Sequence, residues 1–469
     1  MSATVIIRKQ RVRLKTSDEQ QAFRMRQVIN DDLQSQLESM FERVFEENGS
    51  SEIYINIDKL SIDLGVLSES EVSESFIRSV EPKLINELQK QLQHYMDHDE
   101  DDAHLGLNSI ADQEFKALLR FLETGTFPWW YSQQAQKTPA DILNTLKDEG
   151  IEKLLLNVTS LQSPAAPDGF IERLFIHLEP SDHEPILQRL IDLLNNGRLK
   201  VNAEAILKNR TAIGAIFSLD AKKVYQHLFA FLLQNNTPKG DNFMVDFFQK
   251  IITKENISTE SLREDKLSKH LDGLEELITS FINNNELPGK VMSTGEKESF
   301  TEEAIYIGNA GLLLLHPFLQ ALFSDSGLLN EEAKSFVSEQ SKQKAAVLLY
   351  YLQAGQPDYK EWEMPLNKIL CGMHYQDVLP DSIVLTDLDK QNCNELLAAA
   401  ISHWSALKGA GIEALRNTFL LREGKISMKE SHWLMQVERT GADILLDRLP
   451  WGYSTIKLPW VDQLILTEW

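Results

Sequence analysis

Helices that end in the same way recur through the middle of this 469-residue chain. Apolar stretches stop at Gly or Asn at four places, three of them followed by proline: FLETGTFP (121–128), LLNNGRLK (193–200), LLQNNTPK (232–239) and FINNNELP (281–288). Gly and Asn accept the left-handed backbone that closes a helix, and proline cannot continue one. The pattern predicts a helical middle over residues 105–290, packed as helical hairpins, and its irregular spacing argues against a regular solenoid.

The first 96 residues combine strand and helix signals. EIYINIDKLSIDLG (52–65) alternates apolar residues as a strand does, and Ser17 to Gln20 has the spacing of a capping box before a long helix. A second helix is predicted from about residue 70 to 95. Apolar stripes on these two helices include Met40, Val44, Val80 and Leu84. Residues 1–96 are therefore predicted to form a small α+β module.

An acidic stretch follows this module. HYMDHDEDDAH has five acidic residues between Asp97 and Asp102, a composition that resists burial, so residues 97–104 are predicted to be a linker. A metal site is the alternative, because His94 and His98 share a helix face and have Asp97 and His104 as neighbours. An acidic linker accounts for the presence of the same histidine and aspartate residues, so we assign no metal ligand.

The last part of the chain, residues 300–469, is rich in tryptophan. Helices are predicted at 311–323, 331–354 and 393–407, and KISMKESHWLMQVER (425–439) alternates apolar residues across a short turn, which indicates a β-hairpin. Six of the eight tryptophans lie here: Trp362, Trp404, Trp433, Trp451, Trp460 and Trp469. The predicted fold class is mainly α, with small α+β modules at both ends and a helical-hairpin middle.

Leu-Pro-Trp occurs twice within LPWGYSTIKLPW (449–460). Proline fixes its own φ and disfavours helix in the residue before it, so each unit enforces an extended or turn conformation. Repetition after nine residues favours paired strands with the indoles on a shared surface. The rings either fill their own core or dock on a partner.

Composition excludes several classes of protein. Lys and Arg number 47 against 70 Asp and Glu, and the formal charge of −23 would repel a nucleic-acid backbone. The most apolar window, residues 311–323, is interrupted by His316 and Pro317 and is too short for a membrane span of ~20 residues. The N-terminus lacks the pattern of a signal peptide. With only Cys371 and Cys393, far apart in sequence, the chain is expected to be made in a reducing cytoplasm and to reside there at first.

No enzyme motif is present. KGAGIEALR (408–416) lacks the third glycine of a dinucleotide site and is better explained as a helix end and a helix start. Cys371 and His374 are three residues apart, without an identified carboxylate to orient them, and His316 is expected to hydrogen-bond to the backbone within an apolar run. We assign no catalytic residue and no cofactor-binding residue.

Several blocks of the chain together resemble one family, the tape measure proteins of contractile injection systems, which are phage-tail-like particles. FLETGTFPWW (121–130) and EIYINIDKLSIDLG (52–65) are similar to blocks of that family, while residues 135–300 match none. The C-terminal blocks are LLLLHPFLQALF (312–323), KAAVLLYYLQAGQPD (344–358), MPLNKILCGM (364–373), HWSALKGAGIEALRNTFLLREGKI (403–426) and VERTGADILLDRLPWGYSTIKLPW (437–460).

The resemblance implies a non-enzymatic assembly protein that helps set the length of the inner tube. Its partners would be tube, cap or baseplate subunits, and it would end inside the assembled particle. Candidate partner contacts are Trp451, Trp460 and Trp469, together with a basic edge formed by Arg8, Arg11 and Arg13. The alternatives are a helical adaptor or chaperone for a cargo, tube, cap or baseplate subunit, and an enzyme built around Cys371 or His316.

Overall fold

The computed structural model describes residues 39–41, 43–44, 53–54, 63, 76–97, 108–131, 137–146, 148–160, 168–234, 243–257, 304–380 and 383–469. The chain forms two compact units. Residues 1–117 and 129–136 make the first, and residues 118–128 and 137–469 make the second.

The first unit contains a short strand pair and a long helix. Strands β1 (Ile53–Tyr54) and β2 (Asn108–Ser109) are antiparallel. Helix α1 runs over Phe76–Asp97, and helix α2 begins at Ile110. Met40, Val44, Val80 and Leu84, which the sequence places on apolar helix faces, are all buried.

The middle of the chain is a run of short helices within the second unit. The elements are the end of α2 (Ile110–Thr124), α3 (Pro139–Thr145), α4 (Asp148–Ser160), α5 (Asp168–His177), a 3-10 turn (Pro180–Asp182), α6 (His183–Leu194), α7 (Gly197–Lys208), α8 (Arg210–Phe217), α9 (Ala221–Gln234) and α10 (Phe243–Lys254). Helix α9 carries the most buried face and contacts α5, α6, α8 and α10, so it is the centre of the helical middle.

Two of the predicted helix ends lie within the described residues and form as the sequence predicts. Gly125 follows α2 with φ +74°, and Asn195 follows α6 with φ +45°, both in the left-handed region. Asn196 then caps α7 through its side-chain oxygen, which accepts from the main chain of Arg198 and Leu199. The predicted ends at 235–239 and 281–288 lie outside the described residues.

The C-terminal part alternates short helices with strands. Its elements are β3 (Ile305–Ile307), a 3-10 helix (Ala310–Leu315), α11 (His316–Asp325), α12 (Glu339–Ala354), a 3-10 turn (Glu361–Glu363), α13 (Pro365–Leu370), α14 (Asp387–His403), a 3-10 turn (Ser405–Leu407), α15 (Ile412–Leu415), a π-helical turn (Arg416–Leu420), β4 (Gly424–Lys429), β5 (His432–Val437), a 3-10 helix (Gly441–Arg448), β6 (Thr455–Ile456) and β7 (Leu464–Glu468).

One expected helix is shorter than predicted. Residues 331–354 were expected to be helical throughout, but α12 begins at Glu339 after Ser338, whose hydroxyl accepts from the main chain of Ser341. Residues 328–337 instead form a tight loop in which Leu329 bridges to Phe336. The loop is held by the side chain of Asn330, which accepts from the main chain of Lys334 and Ser335.

Five strands form one mixed sheet in the order β3-β4-β5-β7-β6. The predicted hairpin is confirmed, with Ile426 opposite Met435 and Met428 opposite Trp433. Strand β7 joins β5 in parallel, and β6 closes the edge antiparallel to β7. Ile426, Met435, Ile456 and Ile465 all point to the same core as the helices. The fold class is therefore confirmed as mostly α with a small C-terminal sheet.

Several other sequence predictions concern residues outside the described part. Arg8, Arg11 and Arg13 belong to this group, as does the capping box at 17–20. The acidic segment is described only at Asp97, and the segment between α10 and β3 is not described from residue 258 to residue 303. The proposed division into 1–96, 97–104, 105–290 and 300–469 stays a prediction.

Buried histidines give the second unit a predictable pH dependence. Burial lowers the pKa of His183, His227 and His316, so the folded chain binds fewer protons than the unfolded chain near pH 6. The stability that these three neutral histidines contribute to the fold is fully present above the unfolded pKa of about 6.5. It is lost as the pH falls below that value. We expect the melting temperature to fall by roughly 2–4 °C between pH 7.5 and 5.5. Scanning calorimetry would measure it.

A pair of variants separates this effect from general acid destabilisation. His227→Gln removes one buried imidazole and should flatten the pH dependence between 7.5 and 5.5. His403→Gln changes an exposed histidine and should leave the slope as it is. If the melting temperature changes equally with pH in the wild type and in both variants, the buried histidines are not the cause of the pH dependence.

Candidate assembly site

A buried cluster of three charges lies where the helical middle meets the C-terminal part. Arg173 on α5, Glu361 in the turn before α13 and Lys368 on α13 are 1%, 7% and 0% exposed. Arg173 Nε donates to Glu361 Oε1 at 3.0 Å, and Lys368 Nζ donates to the same oxygen at 2.8 Å. One carboxylate therefore serves two cations.

Main-chain oxygens complete the cluster. Arg173 Nη1 donates to the oxygen of Leu122 at 3.1 Å, and Nη2 donates to the oxygen of Gln376. Lys368 Nζ donates to Tyr375 O at 3.2 Å. Burial lowers the pKa of Lys368, and the nearby Glu361 carboxylate opposes that shift. The carbonyls thus supply the negative partial charge that a single carboxylate cannot.

Gly125 leaves the space that the cluster occupies. A Cβ at this position would lie 2.7 Å from Arg173 Nη2 and 2.8 Å from Glu361 Oε1. The same residue has φ +74°, which disfavours any side chain. The glycine predicted only as a helix end is therefore also the wall of the charge cluster.

An aromatic cluster surrounds the same junction. Trp362 meets Phe121 edge-on at 5.7 Å and Phe127 at 5.6 Å between ring centroids, and His177 at 6.2 Å. Such contacts add to the burial of the rings themselves. Residues 121–127, the end of α5 and the turn at 361–363 therefore form one packing unit.

A second buried network lies beside α13. Asn309 Nδ2 donates to Gln353 Oε1 at 2.6 Å and to Asn367 Oδ1 at 2.8 Å, joining the chain before the first C-terminal 3-10 helix to α12 and α13. Asn367 Nδ2 lies 3.4 Å from the oxygen of Ala346. A buried amide network of this kind specifies one arrangement of the three segments.

The two Leu-Pro-Trp units dock on one helix. Trp451 Nε1 donates to Leu314 O at 2.9 Å, and its ring meets Phe318 edge-on at 5.1 Å. Trp460 Nε1 donates to Leu370 O at 2.8 Å, and its ring lies 5.4 Å from Phe323. The indoles thus flank α11 at positions five residues apart. The strand between them, β6, pairs with β7.

Trp469 belongs to a different set of contacts. Arg422 lies over its ring, 5.4 Å from the centroid, and the Tyr453 ring is 5.8 Å away. Arg422 also binds Asp443 through two bonds, at 2.8 and 3.3 Å. Burial alone would raise the pKa of Asp443, but the hydrogen bonds from Arg422 and Thr440 bring it below its usual value. Trp451, Trp460 and Trp469 are all half-buried, so each keeps an accessible edge.

The cysteines and histidines considered as catalytic candidates are buried or hydrogen-bonded to the main chain. Cys371 is fully buried, and burial raises the pKa of its thiol well above the usual value, so it carries no thiolate at neutral pH. Burial raises the pKa of Cys393 to about 12. His316 Nδ1 lies 3.0 Å from Leu313 O, as expected. His374 Nδ1 accepts from the main chain of Gln376 in a turn.

Two further observations concern the described part of the chain as a whole. The residues it includes contain no group of three His, Cys, Asp or Glu that could hold a metal ion. None of its helices has the length and apolar character needed to traverse a lipid bilayer.

Sequence reasoning missed the charge cluster and the amide network. The signal was present in MPLNKILCGM (364–373), where Asn367 and Lys368 interrupt an otherwise apolar stretch. A lysine in such a position must either reach solvent or find a buried carboxylate. The partners Arg173 and Glu361 are 188 residues apart, and no local pattern pairs them.

A family model described as "Contractile injection system tape measure protein" matches residues 4–469. The chain belongs to this family. The match includes residues 135–300, where no resemblance was found in the sequence, and it covers both sides of the Arg173–Glu361 junction. A search of curated proteins found no match, and neither did a search of solved structures. Membership in the tape measure family gives the chain a structural role in contractile injection systems.

Proposed function

We propose that this chain is a non-enzymatic assembly protein that sets the length of the inner tube, with its C-terminal part as a folded anchor. The observation that carries the proposal is the family match over residues 4–469. The partners are tube, cap or baseplate subunits. Assembly takes place in the cytoplasm, and the protein ends inside the particle.

Folding makes the middle much shorter than the same residues would be as one continuous helix. Among the described residues between 137 and 257, the longest helix is α9 with 14 residues. At 1.5 Å per residue it spans about 21 Å, whereas the same region as one continuous helix would reach roughly 180 Å. Length control therefore requires several copies of the folded chain, opening of the middle during assembly with Arg173 leaving its buried partners, or an initiating or terminating role in place of measurement.

The contacts that we propose use the accessible edges of the aromatic residues. Trp451, Trp460 and Trp469 dock against a ring-shaped subunit, while Arg8, Arg11 and Arg13 face an acidic tube surface. Half-buried indoles support this choice, because rings already held by contacts within the chain lose little conformational entropy on binding.

An insertion tests length control without removing any part of the described core. Deleting residues 202–236 would cut α7 and remove α8 and α9 completely, so loss of particles could mean only loss of the fold. We would instead insert 21 helix-forming residues between Gly289 and Lys290, and produce the full chain together with the other particle subunits. If the proposal holds, tubes lengthen by ~30 Å, as a helix of that length requires. Electron microscopy would measure the tubes.

Two matched insertions complete the experiment. A 42-residue helix-forming insertion should double the increase in tube length. A 21-residue Gly/Ser insertion tests whether the tube lengthens because the chain is longer or because the inserted sequence is helical. Particles of normal length with all three insertions would overturn length control. Stable binding of the chain to one subunit with no effect on length would identify a helical adaptor instead.

A further inference from the structure

The outer face of the C-terminal sheet carries a group of leucines. Side chains alternate between the two faces of a strand, so the pairing register identifies the residues that point away from the core. Leu434 on β5 lies beside Leu466 on β7, and Leu464 lies beside His432 in the neighbouring row. The core formed by the described residues includes Met435 on the inner face and contains none of the three leucines. We call Leu434, Leu464 and Leu466 the leucine strip.

The leucine strip is open to solvent. Leu464 is 41% exposed, Leu434 and Leu466 are half-buried, and Tyr306 on the same face of β3 is 37% exposed. A sheet face in contact with water ordinarily carries polar side chains. Adjacent apolar residues with a polar border are instead typical of an interaction surface.

Two lysines border the leucine strip on one side. Strand β4, next to β5, presents Lys425 and Lys429 on the outer face, and their neighbours across the strand pair are Gln436 and His432. The carboxylate of Glu468, one strand further on, accepts a hydrogen bond from the Gln436 amide. A basic border therefore lies along β4, on a chain whose formal charge is −23. This local charge is complementary to a partner that has carboxylates beside its apolar residues.

The size of the face fits one helix and is too small for a stable dimer. Its five strands, spaced ~4.8 Å apart, and the six residues of β5, about 20 Å long, enclose roughly 400 Å². Two such faces packed together would bury about 800 Å², below the ~1,200 Å² of a stable complex. A helix of about 14 residues is ~21 Å long and ~10 Å wide, so it covers β5 and β7 along their whole length.

We propose that the leucine strip docks one amphipathic helix of another protein, whose apolar stripe covers the leucines and whose carboxylates face Lys425 and Lys429. The two lysines are about 13 Å apart along β4. Helix residues about seven positions apart lie on one side, ~10.5 Å from each other, so carboxylates with that spacing reach both flexible ammonium groups. The tryptophan contacts proposed above use none of these residues, and the docking surface does not depend on length control.

Two designed helical peptides of about 18 residues test this surface on the purified full chain. Both carry the same leucine stripe. The acidic peptide has glutamates about seven positions apart on one flank, and the basic peptide has lysines in their place. Fluorescence anisotropy of the labelled peptides, in about 0.15 M salt, measures binding. We expect the acidic peptide to bind about tenfold more tightly. The overall charge of −23 acts in the opposite direction, so this preference comes from a local surface.

Variants of the surface locate the binding. Lys425→Glu together with Lys429→Glu should invert the preference, so that the basic peptide binds about tenfold more tightly. Leu464→Thr together with Leu466→Thr should weaken both peptides about tenfold. The melting temperature of this leucine variant should stay within about 3 °C of the wild type, because both side chains lie outside the core and threonine suits a strand. Val201→Thr, a similar change at an exposed residue of α7, should leave both affinities unchanged.

Each of four results would overturn the proposal. The first is no binding of the acidic peptide at millimolar concentration. The second is equal binding of the two peptides, or tighter binding of the basic one, since the lysines would then select no partner. Affinities that are unchanged in the leucine variant would place the peptides elsewhere on the chain. A concentration-dependent dimer in sedimentation, lost in the leucine variant, would assign the strip to a second copy of the chain.

Discussion

Glu361→Gln should lower the free energy of unfolding of the second unit by about 3–5 kcal/mol, because it leaves Arg173 and Lys368 buried without a carboxylate. Glutamine has nearly the same volume as glutamate, so the loss of stability comes from the missing charge and not from a cavity. Urea denaturation followed by tryptophan fluorescence would measure it. The loss should shrink as the pH rises, since Lys368 can then release its proton inside the cluster.

Two controls separate the unpaired charges from other effects. Glu332→Gln makes the same chemical change in an exposed pair with Lys334 and should cost less than about 0.5 kcal/mol. Lys368→Met removes the extra cation and leaves Arg173 paired with Glu361, so it should cost less than Glu361→Gln does. If Lys368→Met is the more damaging of the two, the cluster is held by its carbonyl contacts and not by the shared carboxylate.

Gly311→Ala should be at least as damaging, costing more than about 4 kcal/mol or preventing recovery of folded protein. A Cβ at Gly311 would lie 1.6 Å from the main-chain oxygen of Phe419. That oxygen belongs to the π-helical turn Arg416–Leu420, whose main chain is packed against the 3-10 helix Ala310–Leu315 and cannot swing away as a flexible side chain would. Circular dichroism and thermal melting would measure the loss.

Gly411→Ala is the control for this change. Gly411 precedes α15 with φ −83°, and a Cβ there would meet nothing within 4 Å. The substitution should therefore change stability by less than about 1 kcal/mol. A similar melting temperature for both variants would show that the two backbone segments separate at little cost.

Local chemistry in the sequence predicted much of the secondary structure. Helix ends at Gly125 and Asn195 follow from residues that accept a left-handed backbone, and the β4–β5 hairpin follows from alternation around residues 430–431. Short-range patterns were less reliable at 331–338, where the Asn330 side chain closes a loop in place of a helical turn. The bonds that decide these features join residues that lie close together in the sequence.

The sequence by itself thus determined the helical middle, the capped helix ends, the hairpin and, through its blocks, the family. Only the tertiary structure decided that Arg173 reaches Glu361 and Lys368, that Trp451 and Trp460 flank α11, and that Leu434 and Leu466 share the outer face of the sheet. The reason is physical. A buried charge or indole is stabilised by whatever partner the packed chain brings to it, and that partner can lie more than a hundred residues away, beyond any helical or strand period.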